Sequence, residues 1–197
     1  MSNPQTQTPG TTPGTTQGIT PGITQYFVAS SIDGFIADAH NGLDWLLQFN
    51  FAPFQARYDE FVAGVGAIVM GSATYEWLQA EGEYWPYGST PTWVLTSREL
   101  ARVAGGDIRF QDGDVARVHA AALREAQGKN VWVLGGGTVA AQFVAAGLLD
   151  EMLLTIVPVA LGSGTRLLPL SEVTAPLTLR HTIPFENGAV ELGYSWR

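Results

Sequence analysis

Apolar residues along this chain fall into short unbroken runs and into longer segments spaced three to four residues apart, and the two kinds alternate. Runs rich in β-branched and aromatic side chains predict buried strands at residues 26–30, 67–70, 92–95, 131–134 and 152–157. The helical spacing predicts a helix over residues 54–65, with Phe54, Tyr58, Phe61 and Val65 on one face. A short helix is expected over residues 74–78. Asp114 stands as the N-cap of a helix reaching about residue 126, with Val115, Val118, Ala122 and Leu123 turned inward. Residues 138–144 have helical character and follow closely on a strand. The chain closes with a hairpin: residues 177–184, a turn at Glu186-Asn187-Gly188, then residues 189–196. Strands that alternate with helices and then give way to an antiparallel pair predict an α/β fold. Its sheet is mainly parallel and mixed, with helices on both faces and an antiparallel C-terminal hairpin.

Residues 5–25 lack this patterning. Gly10, Gly14, Gly18 and Gly22 recur every four residues among Thr, Gln and Pro, with no charge and almost nothing apolar. Such a segment cannot bury enough surface to offset its ordering entropy. Residues 1–25 are therefore expected to be a disordered low-complexity tail, and residues 26–197 a single domain.

Composition then excludes several functions. The chain has 197 residues, 46% of them hydrophobic, which is enough for a real core. Its formal net charge is −8 and its one lysine is Lys129, so no nucleic-acid partner is expected. The absence of cysteine removes disulfides and thiolate metal sites. His40, His119 and His181 have no metal-ligand spacing, so no metal is expected either. Apolar runs are interrupted within about ten residues, too short for a membrane span. No basic-then-apolar leader begins the sequence, and a cytoplasmic location is the default expectation.

The chemistry concentrates at strand ends. Val131-Trp132-Val133-Leu134 runs straight into Gly135-Gly136-Gly137-Thr138 and a helix. A strand that turns through glycine into a helix leaves backbone N–H groups pointing outward, and the helix N-terminus favours negative charge. A phosphate-bearing cofactor would suit this turn; a merely tight strand–helix connection would look the same. No acid ends the next strand, so an ordinary dinucleotide fingerprint is disfavoured. Two further strand ends, Met70-Gly71-Ser72-Ala73-Thr74 and Leu95-Thr96-Ser97-Arg98, also combine hydroxyls with glycine, a helix start or a cation. Arg98 has the guanidinium that suits a phosphate monoester.

These segments carry a resemblance to the dihydrofolate reductase superfamily, in the branch shared with the reductase domain of riboflavin biosynthesis. It rests on Phe27-Val28-Ala29-Ser30-Ser31-Ile32-Asp33-Gly34, Gly42-Leu43-Asp44-Trp45-Leu46 and Val69-Met70-Gly71-Ser72-Ala73-Thr74-Tyr75-Glu76. It continues through Leu95-Thr96-Ser97-Arg98, Val133-Leu134-Gly135-Gly136-Gly137 and Pro158-Val159-Ala160-Leu161-Gly162-Ser163-Gly164, in the family's order. The resemblance implies NADPH as cofactor and a reductase of a planar heterocyclic or related C=N or C=O substrate. By that likeness Gly135, Gly136, Gly137 and Thr138 hold the pyrophosphate, and Gly71, Ser72 and Thr74 flank it. Thr96, Ser97 and Arg98 meet the 2′-phosphate. Ala29 and Trp45 lie near the nicotinamide, Trp45 in a mobile loop. Relatives of this kind are commonly homodimers, so a homodimer is expected. Ser72 stands where the family usually carries an arginine. Residues 48–50 lack the pterin-orienting acid of dihydrofolate reductases, which argues against dihydrofolate.

Asp33 is the best carboxylate candidate for catalysis, with a turn-forming role as its alternative. Trp77, Tyr84, Trp85 and Tyr87 surround a Gly/Pro-rich loop, as the lining of a flat pocket or as packing. A non-catalytic nucleotide-binding or dimeric scaffold module is the rival to a reductase.

Overall fold

The computed structural model describes residues 22–82 and 84–196. In chain order the elements are β1 (Thr24–Ser31), β2 (Phe35–Ala37), α1 (Asp44–Leu47), α2 (Ala52–Ala63), β3 (Val65–Gly71) and α3 (Ser72–Glu81). They continue with β4 (Thr92–Leu95), β5 (Ile108–Gln111), α4 (Val115–Glu125), β6 (Asn130–Gly135) and α5 (Gly137–Ala145). The last are β7 (Glu151–Val157), β8 (Thr165–Arg166), β9 (Thr178–Pro184) and β10 (Val190–Ser195). Eight strands form one sheet in the order β5-β4-β3-β6-β1-β7-β10-β9, and β2 pairs with β8 apart from it. β10 is antiparallel to both its neighbours, while the other pairings in the large sheet are parallel. The predicted α/β fold, with its mixed sheet and C-terminal hairpin, is what the chain adopts.

Alternation along the strands builds two cores. Tyr26, Val69, Val131, Val133 and Leu154 pack against Val118 and Ala122 of α4 and Phe143 of α5. Ile68, Met70, Val94, Trp132 and Leu153 face the other way, onto Phe61 of α2 and Tyr75 of α3. The sheet is therefore covered on both faces, as a parallel sheet requires. Asp114 caps α4 as expected: its side chain accepts from Ala116 N at 2.8 Å.

Several boundaries differ from the sequence expectation. α2 is shifted towards the N-terminus and ends at Gly64, so Val65 begins β3 instead of continuing the helical face. α3 runs three residues beyond the predicted end at Leu78, to Glu81. β2, β5 and β8 were not anticipated. The tail boundary at residue 25 falls inside β1, where Thr24 is fully buried and Gln25 nearly so. The rest of the predicted tail, residues 1–21, lies outside the described residues.

Candidate active site

β3 and β6 are parallel neighbours, and their ends are in register at Met70 and Gly135. Each runs through glycine into a helix. Gly71 is the N-cap of α3 and Gly136 the N-cap of α5, and neither helix has a side-chain cap. Two helix N-termini thus open side by side, each with the equivalent of about half a positive charge. Thr74 stands between them: a Cβ built on Gly135 or Gly136 would lie 3.5 or 3.9 Å from its Oγ1.

The three glycines do different work. Gly135 has φ +143°, a conformation that side chains disfavour. Gly137 is packed so tightly on the carbonyls of Arg166 and Leu167 that any Cβ would collide. Gly136 has an ordinary φ of −77°, and its Cβ would have only Ile36 and Thr74 within reach, at 3.8 and 3.9 Å. A side chain there would fill the space above the helix ends and leave the backbone unstrained. The Gly135–Gly136 peptide is cis.

That space is a cavity of about 280 Å³, lined among others by Ala29, Ile36, Thr74, Trp77, Tyr87, Trp132, Gly135 and Gly136. A second cavity of about 570 Å³ adjoins it and shares Phe27, Val28, Ala29, Leu46 and Trp132 with it. Its other walls are mainly aromatic and apolar, including Phe49, Phe51, Phe54, Tyr58 and Phe185, with Asn50, Arg57, Thr155 and Glu191 as polar members. Trp132 stands at the junction, its indole N–H donating to Phe27 O at 3.3 Å. The rings of Tyr58 and Tyr87 meet it edge-on at 6.3 and 5.5 Å. Burial pushes both phenols above their ordinary range, so they stay protonated at neutral pH.

The structure brings together Ala29, Thr74, Gly135 and Gly136 on the smaller cavity. Gly71, Ser72, Gly137 and Thr138 form the two helix starts behind it. Thr96, Ser97 and Arg98 line neither cavity. Thr96 Oγ1 accepts from Arg98 N at 3.0 Å, and the Arg98 guanidinium is held by Glu76 through bonds of 3.0 and 2.6 Å. Trp77 and Tyr87 line the smaller cavity, whereas Trp85 is buried against Tyr75 and Tyr84 is exposed.

Two predicted residues need correction. Asp33 ties loops together: its carboxylate accepts from Ser31 Oγ at 2.6 Å, Leu161 N at 3.0 Å and Gly162 N at 2.7 Å. These bonds lower its pKa to about 2, the opposite of what a proton donor at neutral pH needs. Trp45 is buried on the short helix α1 and lines neither cavity; Leu43 and Leu46 take that place.

The sequence reading missed Phe27, Arg57, Trp132, Phe185 and Glu191. Trp132 was legible in principle, because alternation turns it away from Val131 and Val133. Glu191, a lone acid in a terminal strand, reads as solvent-facing.

A family model for the RibD C-terminal domain matches residues 76–190. The chain belongs to this family. The uncharacterized protein YwjB of Bacillus subtilis is 30% identical over 174 residues, spanning 85% of this chain and 94% of its own. A protein of Shewanella sp. PV-4, assigned provisionally to riboflavin biosynthesis, superposes with a TM-score of 0.76 at 25% identity, covering 88% of this chain and 98% of its own. Dihydrofolate reductase of Enterococcus faecalis, solved with NADP(H) and RAB-propyl, superposes with a TM-score of 0.61. At 18% identity, over 89% of this chain and 97% of that one, it shows the shared fold. A RibD C-terminal domain chain thus has a reductase-type fold, and its two cavities lie on one side of the sheet. Among the described residues no helix is long and apolar enough to cross a membrane, and no acidic or histidine cluster could hold a metal ion.

Proposed function

We infer that this chain is an NADP(H)-dependent reductase of a planar heterocyclic or related C=N or C=O substrate. The observation that carries this reading is the pair of uncapped helix ends at Gly71 and Gly136, facing a cavity that opens onto a larger, mainly apolar one. A diphosphate fits the first feature: α3 and α5 offer N–H donors, Thr74 a hydroxyl, and Gly136 the space. When bound, a reduced nicotinamide supplies a hydride to the substrate carbon. The chain's own part is to orient and to keep out water. Ala29 and Trp132, common to both cavities, mark where cofactor and substrate meet, and Phe27 and Leu46 close the junction with apolar surface. The nitrogen or oxygen of the substrate takes up its proton from a water molecule in this reading, since loop hydrogen bonds hold Asp33 ionised. A cytoplasmic setting and a homodimeric state go with this proposal.

Titration of the full chain with NADPH, followed by the fluorescence of its tryptophans, tests the reading, since Trp77 and Trp132 line the smaller cavity. Saturable quenching at micromolar NADPH is expected. No change up to millimolar NADPH would remove the proposal. Binding without oxidation of NADPH by any heterocyclic acceptor would favour the nucleotide-binding scaffold.

A further inference from the structure

The junction of the two cavities carries a pair of phenols that packing alone does not explain. Tyr58 lines the larger cavity from α2, and Tyr87 lines the smaller one from the loop between α3 and β4. Both rings meet Trp132 edge-on, at 6.3 and 5.5 Å, and Trp132 belongs to both cavities. The two hydroxyls are hydrogen-bonded to each other. One phenol from each cavity therefore joins the other beside the shared indole.

The bond between them has a direction. Burial raises both phenols, and their shared hydrogen bond raises Tyr87 further while it lowers Tyr58. Tyr87 is thus the donor and the Tyr58 oxygen the acceptor. A phenol has one proton of its own to give. That of Tyr58 meets no acceptor among the described residues. Its ring lies instead among apolar neighbours, with the Phe51 and Phe27 rings 5.8 and 6.4 Å away. Accepting from Tyr87 also polarises the Tyr58 O–H and makes it the better donor.

We propose that the Tyr58 hydroxyl donates a hydrogen bond to the heteroatom of the substrate's C=O or C=N bond, an assignment that rests on the reductase reading. As a hydride reaches the carbon, the π electrons of that bond move onto the oxygen or nitrogen. A donor already aimed there meets the growing negative charge without reorganising. The heteroatom then takes its proton from water. Tyr58 keeps its own, as a phenol held above its ordinary range does. Tyr58 is therefore a catalytic residue that polarises the reacting bond, and Tyr87 a positioning residue that acts through it. A ring of the same shape with CH₂ in place of the acceptor leaves the Tyr58 proton unpaired and is disfavoured.

The test is calorimetric titration of the full chain, without nicotinamide nucleotide, using 1-indanone, a planar bicyclic ketone, and indane, the same frame without an acceptor. Comparing the ratio of the two affinities between chains cancels the difference in their hydrophobicity. Tyr58→Phe is expected to lower that ratio about fivefold at the expense of the ketone, with the fold checked by circular dichroism. Tyr87→Phe leaves the Tyr58 proton in place and is expected to lower it about twofold. The infrared C=O stretch of 1-indanone bound to the native chain is expected below its frequency in an apolar solvent. In Tyr58→Phe it should return towards that frequency, a change that a purely structural role would not produce. A ratio or a stretch that folded Tyr58→Phe leaves unchanged overturns the assignment. So does an unshifted stretch in the native chain, or no binding of the ketone, even if neither variant folds. Because no nucleotide is present, a chain that holds the ketone through Tyr58 but ignores NADPH keeps the Tyr58 contact while losing the reductase reading.

Discussion

Single residues at this site act through what they leave open as much as through what they contribute. Gly136 has an unstrained backbone and free space above it, so Gly136→Val should fold normally. Its side chain would occupy the space in front of the two helix ends. NADPH binding is expected to weaken by at least about tenfold with an unchanged circular dichroism spectrum; retained affinity would show the turn to be structural only. Asp33 makes a different kind of prediction. Its pKa falls from an ordinary 3.8 to about 2 because the folded state supplies hydrogen bonds to its charged form. A depressed carboxylate stabilises the fold above its unfolded pKa, and that contribution disappears as pH falls through its folded pKa. Denaturation midpoints of the native chain and Asp33→Asn should therefore differ by a constant amount from pH 7 down to about 4. They should converge as pH approaches about 2. A gap that does not narrow would separate Asp33 from the loop contacts at Leu161 and Gly162. Thr74, Gly135 and Gly136 were legible in the sequence because a strand, a glycine and a helix start are adjacent in the chain. Glu191 was not, because its surroundings come from α2, β7 and β9, and no local pattern announces a buried acid.

At the level of elements, the long strands and α4 and α5 were legible because their apolar periodicity is unbroken. β5 was not: in Ile108–Gln111 Arg109 and Gln111 interrupt the apolar residues, and burial is mostly partial. The Arg109 guanidinium lies 4.7 Å from the Trp93 ring centroid, so a residue that reads as loop-like packs on the sheet. α2 was misplaced by two residues, because the helical spacing of its aromatics carries on through Gly64 to Val65, which belongs to the strand. The link between α3 and the loop after β4 also escaped notice, since Glu76 and Arg98 are 22 residues apart. The paired Glu76 carboxylate holds the guanidinium that the family likeness assigns to a 2′-phosphate. If Arg98 leaves Glu76 for that phosphate, Arg98→Ala should weaken NADPH about tenfold and leave NADH unaffected. Glu76→Gln, which frees the guanidinium, should tighten NADPH selectively. Parallel titrations of both nucleotides decide, and equal losses for NADPH and NADH would confine Arg98 to its pairing with Glu76.

Across the whole molecule, the sheet ends in β9, an edge strand whose residues are mostly exposed, including Leu179. Such an edge is available for pairing, and Leu47 and Phe51 add exposed apolar surface at the larger cavity. We propose a symmetric homodimer on these grounds; light scattering that gives a monomer mass at micromolar concentration would refute it. The N-terminal boundary allows a sharper prediction. Composition alone placed the domain's start after Gln25, since Ile23, Thr24 and Gln25 sit in a polar background. The structure uses these residues to join β1 to its neighbours. Thr24 N donates to Asp150 Oδ2 at 2.9 Å, Thr24 O accepts from Asp150 N at 2.9 Å, and Thr24 Oγ1 lies 2.7 Å from His119 Nε2. Ile23 O accepts from the fully buried Val131 at 3.0 Å. A chain that begins at Gln25 leaves Val131 N and Asp150 N without these acceptors, and each such loss costs about 1–3 kcal/mol. It should therefore be about 3 kcal/mol less stable in urea than a chain that begins at Gly22. Equal midpoints and slopes for the two would show that β1 starts, energetically, where the sequence pattern alone had placed it.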